Sequence, residues 1–412
     1  MIRKKKLVRL TTVDISLKNL LKGQLRFLNN YFDVIGVSAN TGLLSKVADE
    51  EQIRVIEVPM RRAISLIADI KCLFSLISLF RKEKPYILHA NTPKGSLLGL
   101  IAGKITRVPH RIYLVTGLRY QGASGLLKYI LKTMERISCY CATNVIPEGQ
   151  GVLQSLHHDH ITKKPLKVIL NGNINGIDTN FFSAEATNKS LVSSAHLVLN
   201  RKTSNQGLTD YASNSGFNGR RYIRKQLNIQ TDEFTFVFVG RIVKDKGISE
   251  LVEAMKSLTG RETRILTVKL IVVGTFEQGD PVPIEDVQWL KGSPFVSLVG
   301  WQDDVRPYLL AADALVFPSY REGFPNVVMQ AGAMNLPSIV TDINGCNEII
   351  EDGTNGIIIE PRNAHALLHA MEWMIRNPEN VKRMAQNARR MIQTRYEQKD
   401  VWQALLQFYQ TL

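Results

Sequence analysis

Residues 317–356 read FPSYREGFPNVVMQAGAMNLPSIVTDINGCNEIIEDGTNG, and this stretch decides the architecture. It opens on the apolar end of a strand, residues 314–317, which stops at Pro318. A charged pair, Arg321-Glu322, follows on a loop, and Gly323-Phe324-Pro325-Asn326 starts a helix that runs on through Gln330. Proline suits the first helical turn, where its missing N–H has no intrahelical partner to lose. A helix N-terminus behind a glycine-containing loop attracts phosphate, because its N–H groups are unpaired and it carries about half a positive charge. Glu322 stands beside that point and would repel phosphate itself. It suits a neutral, hydroxyl-rich group next to a phosphate, and a nucleotide sugar is such a ligand.

Outward from this loop the chain alternates. In the first half, strands are expected at 7–10, 33–38, 53–58, 87–90, 111–115, 143–146 and 168–170, with helices at 17–30, 64–80, 97–105 and 126–139. In the second half, strands fall at 234–239, 268–273, 296–298, 314–317 and 338–341. Helices fall at 248–258, 305–311, from 326 onward, at 364–376 and at 378–395. Strands alternating with helices predict parallel sheets covered on both faces, an α/β protein. Residues 186–219, rich in Ser, Asn, Thr and Gly, break the rhythm and read as a polar insertion or mobile loop between two domains, 1–180 and 220–395. The last helix has apolar residues at 401, 405, 408, 409 and 412, which marks one buried face.

The bulk properties narrow the class. A chain of 412 residues is long enough for two domains with full cores. Cysteines at 72, 139, 141 and 346 lack metal-type spacing and suggest no disulfide framework, so a reducing cytosol is expected. The apolar run at residues 63–80 is interrupted by Asp69 and Lys71 and does not qualify as a membrane span, and no secretory signal is expected. Residues 1–180 hold 27 Lys/Arg against 12 Asp/Glu, whereas residues 181–412 hold 25 of each. The whole excess of +15 therefore sits in the first half, which predicts an acidic partner there: an anionic membrane, a diphosphate-linked lipid or a nucleic acid.

A second phosphate candidate is Val239-Gly240-Arg241-Ile242-Val243-Lys244-Asp245-Lys246-Gly247, where a strand ends at Gly240 and Arg241 and Lys246 follow on the loop. Guanidinium can bind two oxygens at once and ammonium acts as a point charge. Other templates fail. No G-x-G-x-x-G follows the first strand, Gly103-Lys104 is no Walker loop, and no D-x-D pair is present to hold a metal on diphosphate. His157-His158-Asp159-His160 reads as a surface turn rather than a metal site.

The run SYREGFPNVV…AGAMNLPSIVTDINGCNEII…DGTNG resembles the signature of glycosyltransferase family 4, retaining enzymes of the GT-B fold. The resemblance covers most of the chain. It implies two Rossmann-like parallel-sheet domains facing across a cleft, with the chain's end, residues 396–412, packing back on the first. It implies a donor site in the second domain without metal or other cofactor. Glu322, Arg241 and Lys246 would do the catalytic work. Gly240, Gly274, Trp301, Gly323, Phe324, Pro325, Asn326 and Gln330 would bind the donor. Trp301 is equally consistent with core packing. Gln330 stands where the family has a second glutamate on the ribose, so its bond should be weaker by roughly 1 kcal/mol. In the first domain the segments around Lys22-Gly23, His89-Ala90-Asn91 and Thr116-Gly117-Leu118-Arg119 resemble the acceptor side. Thr116 replaces the family's histidine, whose role does not transfer. Lys22, Gly23, His89 and Arg119 are the acceptor candidates, although His89 is as consistent with a satisfied core histidine.

The expectation is a UDP-sugar-dependent transferase acting on an undecaprenyl-diphosphate-linked acceptor in bacterial capsule, exopolysaccharide or glycan assembly. It would be cytoplasmic and held at the inner face of the membrane by Arg61, Arg62 and the 63–80 helix. The alternative for that helix is to pack wholly on its own sheet. A UDP-sugar epimerase would need acidic and histidine groups in the basic first half. Nucleic acid is disfavoured, because no aromatic-interleaved basic stretch accompanies the charge.

Overall fold

The computed structural model describes residues 4–61, 63, 65–199, 217–260 and 267–412. The chain divides into two compact units, Met1–Gly176 with Gln398–Leu412, and Ile177–Glu397.

The first unit is built on β1 (Lys6–Val13), β2 (Asp33–Ala39), β3 (Arg54–Glu57), β4 (Ile87–Ala90), β5 (His110–Val115) and β6 (Asn144–Pro147), all parallel in the order β3-β2-β1-β4-β5-β6. Strand β1 is buried along almost its whole length, as expected where helices cover both faces. Neighbouring residues part to opposite sides. Leu7 joins Leu17, Leu25 and Leu405, while Val8 joins Cys72, Leu76, Phe80 and Leu98. Helices α1 (Asp14–Leu20), α2 (Gln24–Asn29) and α3 (Leu44–Glu51) thus share one face with the chain's last helix. Helices α4 (Leu66–Glu83) and α5 (Pro93–Ile105) cover the other, and α6 (Gly125–Cys141) packs alongside α5. Helix α7 (Gln150–His158) completes the unit.

The second unit opens with α8 (Ala184–Leu199) and α9 (Gly219–Gln226). Its sheet holds β7 (Phe234–Val239), β8 (Val268–Val273), β9 (Val296–Gly300), β10 (Ala314–Phe317), β11 (Ser338–Thr341) and β12 (Gly356–Ile359), parallel in the order β12-β11-β10-β7-β8-β9. Helices α10 (Ile248–Thr259), α11 (Ile284–Gly292), α12 (Arg306–Ala311), α13 (Asn326–Ala333), α14 (Cys346–Ile349), α15 (Ala364–Arg376) and α16 (Pro378–Tyr396) surround it, and α17 (Gln398–Gln410) returns to the first unit. In each sheet the strand order reverses once, between β1 and β4 and between β7 and β10. Open α/β sheets bind ligands beyond the carboxyl ends of their strands at that reversal.

Three local expectations are corrected. The helix expected over 17–30 is two helices, because Gly23 adopts φ +79° between them and a side chain there would strike Trp402 at 2.7 Å. Residues 168–170 are not a strand; Leu166 makes one isolated bridge to Val145, and Leu170 turns with φ +50°. The stretch 186–219 is helical at its start, where α8 packs on α9 and α12, and Asn188 accepts the Gly219 N–H at 3.0 Å. Residues 200–216 of that stretch, and Arg62, lie outside the described residues.

Candidate active site

The loops leaving β7 and β10 meet at the reversal in the second sheet. After Gly240 the chain crosses Arg241 and makes a short 3-10 turn at Lys244–Lys246. It then enters α10 through Gly247, whose φ of +68° and 2.1 Å approach of a would-be Cβ to the Pro318 carbonyl admit only glycine. This close contact seats Lys246 beside the β10 loop. Its ammonium forms an ion pair with Glu322, which also accepts a hydrogen bond from Ser319 Oγ at 2.9 Å. Both members are largely buried, and the Lys246 ammonium lies 5.6 Å from the centre of the Phe317 ring. Cys346, fully buried at the start of α14, sits within range of Glu322; burial first, and that carboxylate second, push its thiol pKa well up.

Arg241 does not join this pair. It is exposed and donates to Glu277 Oε2 at 3.1 Å. The two cations expected to share a diphosphate therefore hold separate carboxylates, Glu322 and Glu277. Behind them Asp245 is fixed by Arg321 at 2.8 Å, and its own N–H donates to Asp280 at 2.8 Å.

Glycine contacts knit the neighbouring loops. Gly274, at the end of β8, has φ +146°, and a Cβ there would lie 1.8 Å from the Gly240 carbonyl. Its N–H donates to the Gly300 carbonyl at 2.8 Å, which ties in the end of β9. Gly345, with φ +75°, lies against the Gly323 carbonyl and the Pro325 ring. Trp301, next to Gly300, is 61% exposed, so it is not a core residue.

The helix start differs from expectation in one respect. Pro325, with ψ +106°, precedes the first helical residue Asn326 rather than opening the helix. Phe324 and Pro325 are buried, and the Phe324 ring packs on Tyr396 at 5.5 Å. Their side chains hold the loop in place, and Pro325 has no N–H to offer a ligand. Gly323 and Gln330 are half-buried on the same loop and helix.

In the first unit the acceptor candidates are scattered. Lys22 is exposed, and Gly23 donates its N–H to Glu51 Oε1 at 2.6 Å. Arg119 lines a small crevice with Pro93, Lys94 and Glu135. His89 is corrected: it is fully buried and belongs to a polar knot in the core. Arg9, also fully buried, donates to Gln24 Oε1 at 2.6 Å, Tyr409 Oη at 3.2 Å and Asn91 Oδ1 at 3.1 Å. His89 Nδ1 lies 2.5 Å from the same Tyr409 oxygen. Burial and the adjacent guanidinium hold the His89 pKa well below the usual value, so the ring is neutral and Nδ1 accepts the tyrosyl proton. A histidine so placed contacts no acceptor. Its position in the middle of a short, wholly buried strand was the sequence signal for this. Glu277, by contrast, lay in no motif, and Ser319 opened the quoted run without a role assigned to it. Among the described residues no three His, Cys, Asp or Glu side chains form a group able to hold a metal, and no helix is long and apolar enough to cross a membrane.

Residues 219–391 match the family model described as glycosyl transferases group 1, and residues 18–148 match that described as glycosyl transferase 4-like. The capsular polysaccharide biosynthesis glycosyltransferase CapM of Staphylococcus aureus is 31% identical over 410 residues, spanning 99% of this chain and 98% of the relative. The chain is a family 4 glycosyltransferase. A UDP-Gal:α-D-GlcNAc-diphosphoundecaprenol α-1,3-galactosyltransferase of Escherichia coli is 27% identical over 354 residues, 83% of this chain and 80% of that one. The crystal structure of Anabaena HepE in complex with UDP-glucose matches 99% of the glycosyltransferase and all of that chain, at TM-score 0.76 and 18% identity. At this identity the likeness speaks for the fold, and the fold is GT-B: two Rossmann-like units, each with a six-stranded parallel sheet.

Proposed function

We propose that this glycosyltransferase moves a sugar from a UDP-sugar to a saccharide carried on a lipid diphosphate, with retention of anomeric configuration, in the assembly of a bacterial surface polysaccharide. The observation that carries the reading is the Lys246–Glu322 ion pair at the sheet reversal, beside the first turn of α13. On binding, the donor diphosphate takes the Lys246 ammonium as a new partner, and Arg241 leaves Glu277 to join it. The N-terminal turn of α13 adds the positive end of its dipole. Glu322, held by Ser319, then accepts from the sugar hydroxyls. Gln330 meets the ribose and Trp301 the base.

The bond between the anomeric carbon and the diphosphate oxygen breaks while the acceptor hydroxyl attacks from the same face. Its proton passes to the departing phosphate oxygen, so no side chain has to act as base. Charge-assisted bonds from Lys246 and Arg241 stabilise the leaving UDP as charge builds on it. In this scheme the cations of the chain carry that charge and no metal is needed. One relative named for a UDP-galactose donor with a diphosphoundecaprenol acceptor, and a structural neighbour holding UDP-glucose, support the choice of donor and acceptor class. Such an acceptor places the enzyme at an anionic membrane surface, which suits the charge excess of the first half.

Calorimetry with a panel of UDP-sugars, followed by UDP release with and without lipid-linked acceptor, tests the proposal. One UDP-sugar is expected to bind, and its turnover to depend on the acceptor. Silence across the panel, or interconversion of sugars without acceptor, overturns it.

A further inference from the structure

Helices α4 and α6 expose apolar residues that their own sheet does not use. On α4 these are Leu66, Ile67, Ile70 and Phe74, with Leu66 77% and Phe74 66% exposed. On α6, Leu126, Ile130, Ile137 and Tyr140 recur at helical spacing along one stripe, with Leu126 75% and Tyr140 71% exposed. The opposite stripe of α6, at Leu131, Glu135, Ser138 and Cys139, is buried, so the outer one is a second apolar face rather than frayed core. Both helices pack against α5, which lies between them. All three precede strands of one parallel sheet and run in the same direction. Their N-terminal turns therefore lie together at the strands' carboxyl edge, where a ligand binds.

The charge around this face has one sign. Residues 61–147 hold 14 Lys/Arg and only three Asp/Glu. Each of those acids is held within the unit. Asp69 pairs with Lys94 at 2.7 Å, Glu83 with Lys6 at 2.8 Å and Arg54 at 2.6 Å, and Glu135 is buried against the Tyr113 hydroxyl at 2.5 Å. Lys71, Arg81 and Lys82 on α4, and Lys128 and Arg136 on α6, are exposed beside the apolar stripes, and Lys104 covers the Tyr140 ring. A protein partner of this chain's kind would be expected to meet some acid of the face with a base of its own. Here only cations are offered, around side chains that prefer to leave water. That combination fits an anionic lipid surface, which rewards both terms.

We infer that the outer faces of α4 and α6 form a two-helix docking surface for an anionic bilayer, which seats the carboxyl edge of the first sheet at lipid level. This rests on the proposed lipid-linked acceptor for its purpose, and on exposure and charge for its existence. Exposed aromatic and aliphatic side chains enter the headgroup region, and the lysines and arginines meet lipid phosphates.

The test is sedimentation of the full chain with vesicles of phosphatidylcholine alone or mixed with phosphatidylglycerol. Binding is expected only with the anionic lipid, and is expected to weaken with salt. Leu126→Glu with Ile130→Glu, and separately Lys128→Glu with Arg136→Glu, should each weaken it by about tenfold or more. Far-UV circular dichroism and the urea midpoint read from Trp402 of the first unit should be unchanged in both variants, which shows that this unit still folds, and UDP-sugar binding by the second unit should be unchanged as well. Equal binding to neutral vesicles overturns the inference, as does wild-type vesicle binding by both variants. So does a wild-type dimer that the variants split while vesicle binding stays the same, because a second copy then covers the face. A wild-type chain that binds these vesicles but no UDP-sugar refutes the proposed reaction and leaves the surface standing; the reverse result refutes the surface alone.

Discussion

Lys246 and Glu322 neutralise each other in the site, and their duties toward a donor differ. Lys246 is the cation seated deepest, with its ammonium already confined, so little side-chain freedom remains to be lost when diphosphate arrives. Lys246→Ala is expected to lower transfer by about 100-fold or more, in the range of a lost transition-state donor. Arg241→Ala should lose less of the ground-state affinity, because Arg241 must first leave Glu277. A steady-state comparison of both variants checks this, and wild-type turnover in either would contradict the assigned roles. Glu135 shows a different residue-scale effect. Burial raises its pKa from 4.5 to about 7, against the lowering influence of Tyr113 and Arg119. The folded chain thus holds this proton more tightly than the unfolded one. Its stabilising contribution is complete below about pH 4.5, falls as pH rises toward 7, and is flat above; the total is on the order of 3 kcal/mol. Glu135→Gln keeps an acceptor for Tyr113 and should flatten that part of the stability curve, read as denaturation midpoints at a series of pH values. An unchanged slope would place the proton elsewhere.

At the scale of elements, the site is a set of strand ends held at backbone contact. The Gly240–Gly274 approach is closer than any side chain allows, and it aligns the loop bearing Arg241 and Lys246 with the end of β8. Gly274→Ala must push the two loops apart. A loss of about 1–3 kcal/mol in stability is expected, with a larger proportional loss of UDP affinity. Gly292→Ala, where a Cβ meets nothing within 4 Å, is the matched control. Calorimetry and thermal melts on the pair check both claims. The strand ends themselves were legible in the sequence, since apolar runs stopped by glycine or proline announce them, and so were Glu322 and Lys246 on the loops that follow. The partners Glu277 and Ser319 were not, because nothing local distinguishes a loop glutamate that reaches an arginine 36 residues away from one in solvent. The break at Gly23 was also hidden. Apolar spacing over 17–30 supports one helix, and only the packing of Trp402, from the far end of the chain, requires the left-handed turn.

For the whole molecule, charge and chain path follow the division into units. Residues 1–176 with 398–412 carry 28 Lys/Arg and 12 Asp/Glu, whereas 177–397 carry 24 and 25, so the returning helix leaves the imbalance where the sequence suggested it. That return is fastened by more than apolar contact. Leu405 and Leu406 of α17 join the core, and Tyr409 reaches Arg9 and His89 from 320 residues or more away in the chain. Arg9 has only neutral partners and one guanidinium nitrogen, Nε, without any, so the tyrosyl oxygen carries unusual weight in its solvation. Tyr409→Phe keeps the ring's volume but removes an acceptor from Arg9 and a donor from His89. The first unit should then lose about 1–3 kcal/mol, the range for leaving buried polar groups unsatisfied. Trp402 is the one tryptophan of that unit. In a background with Trp289, Trp301 and Trp373 changed to Phe, its fluorescence reports this unit alone. The urea midpoint read from Trp402 should fall, while UDP-sugar binding, measured for Tyr409→Phe with Trp301 intact, stays unchanged. A midpoint that did not move would mean that apolar packing alone holds the last helix, and that the buried arginine is solvated without it.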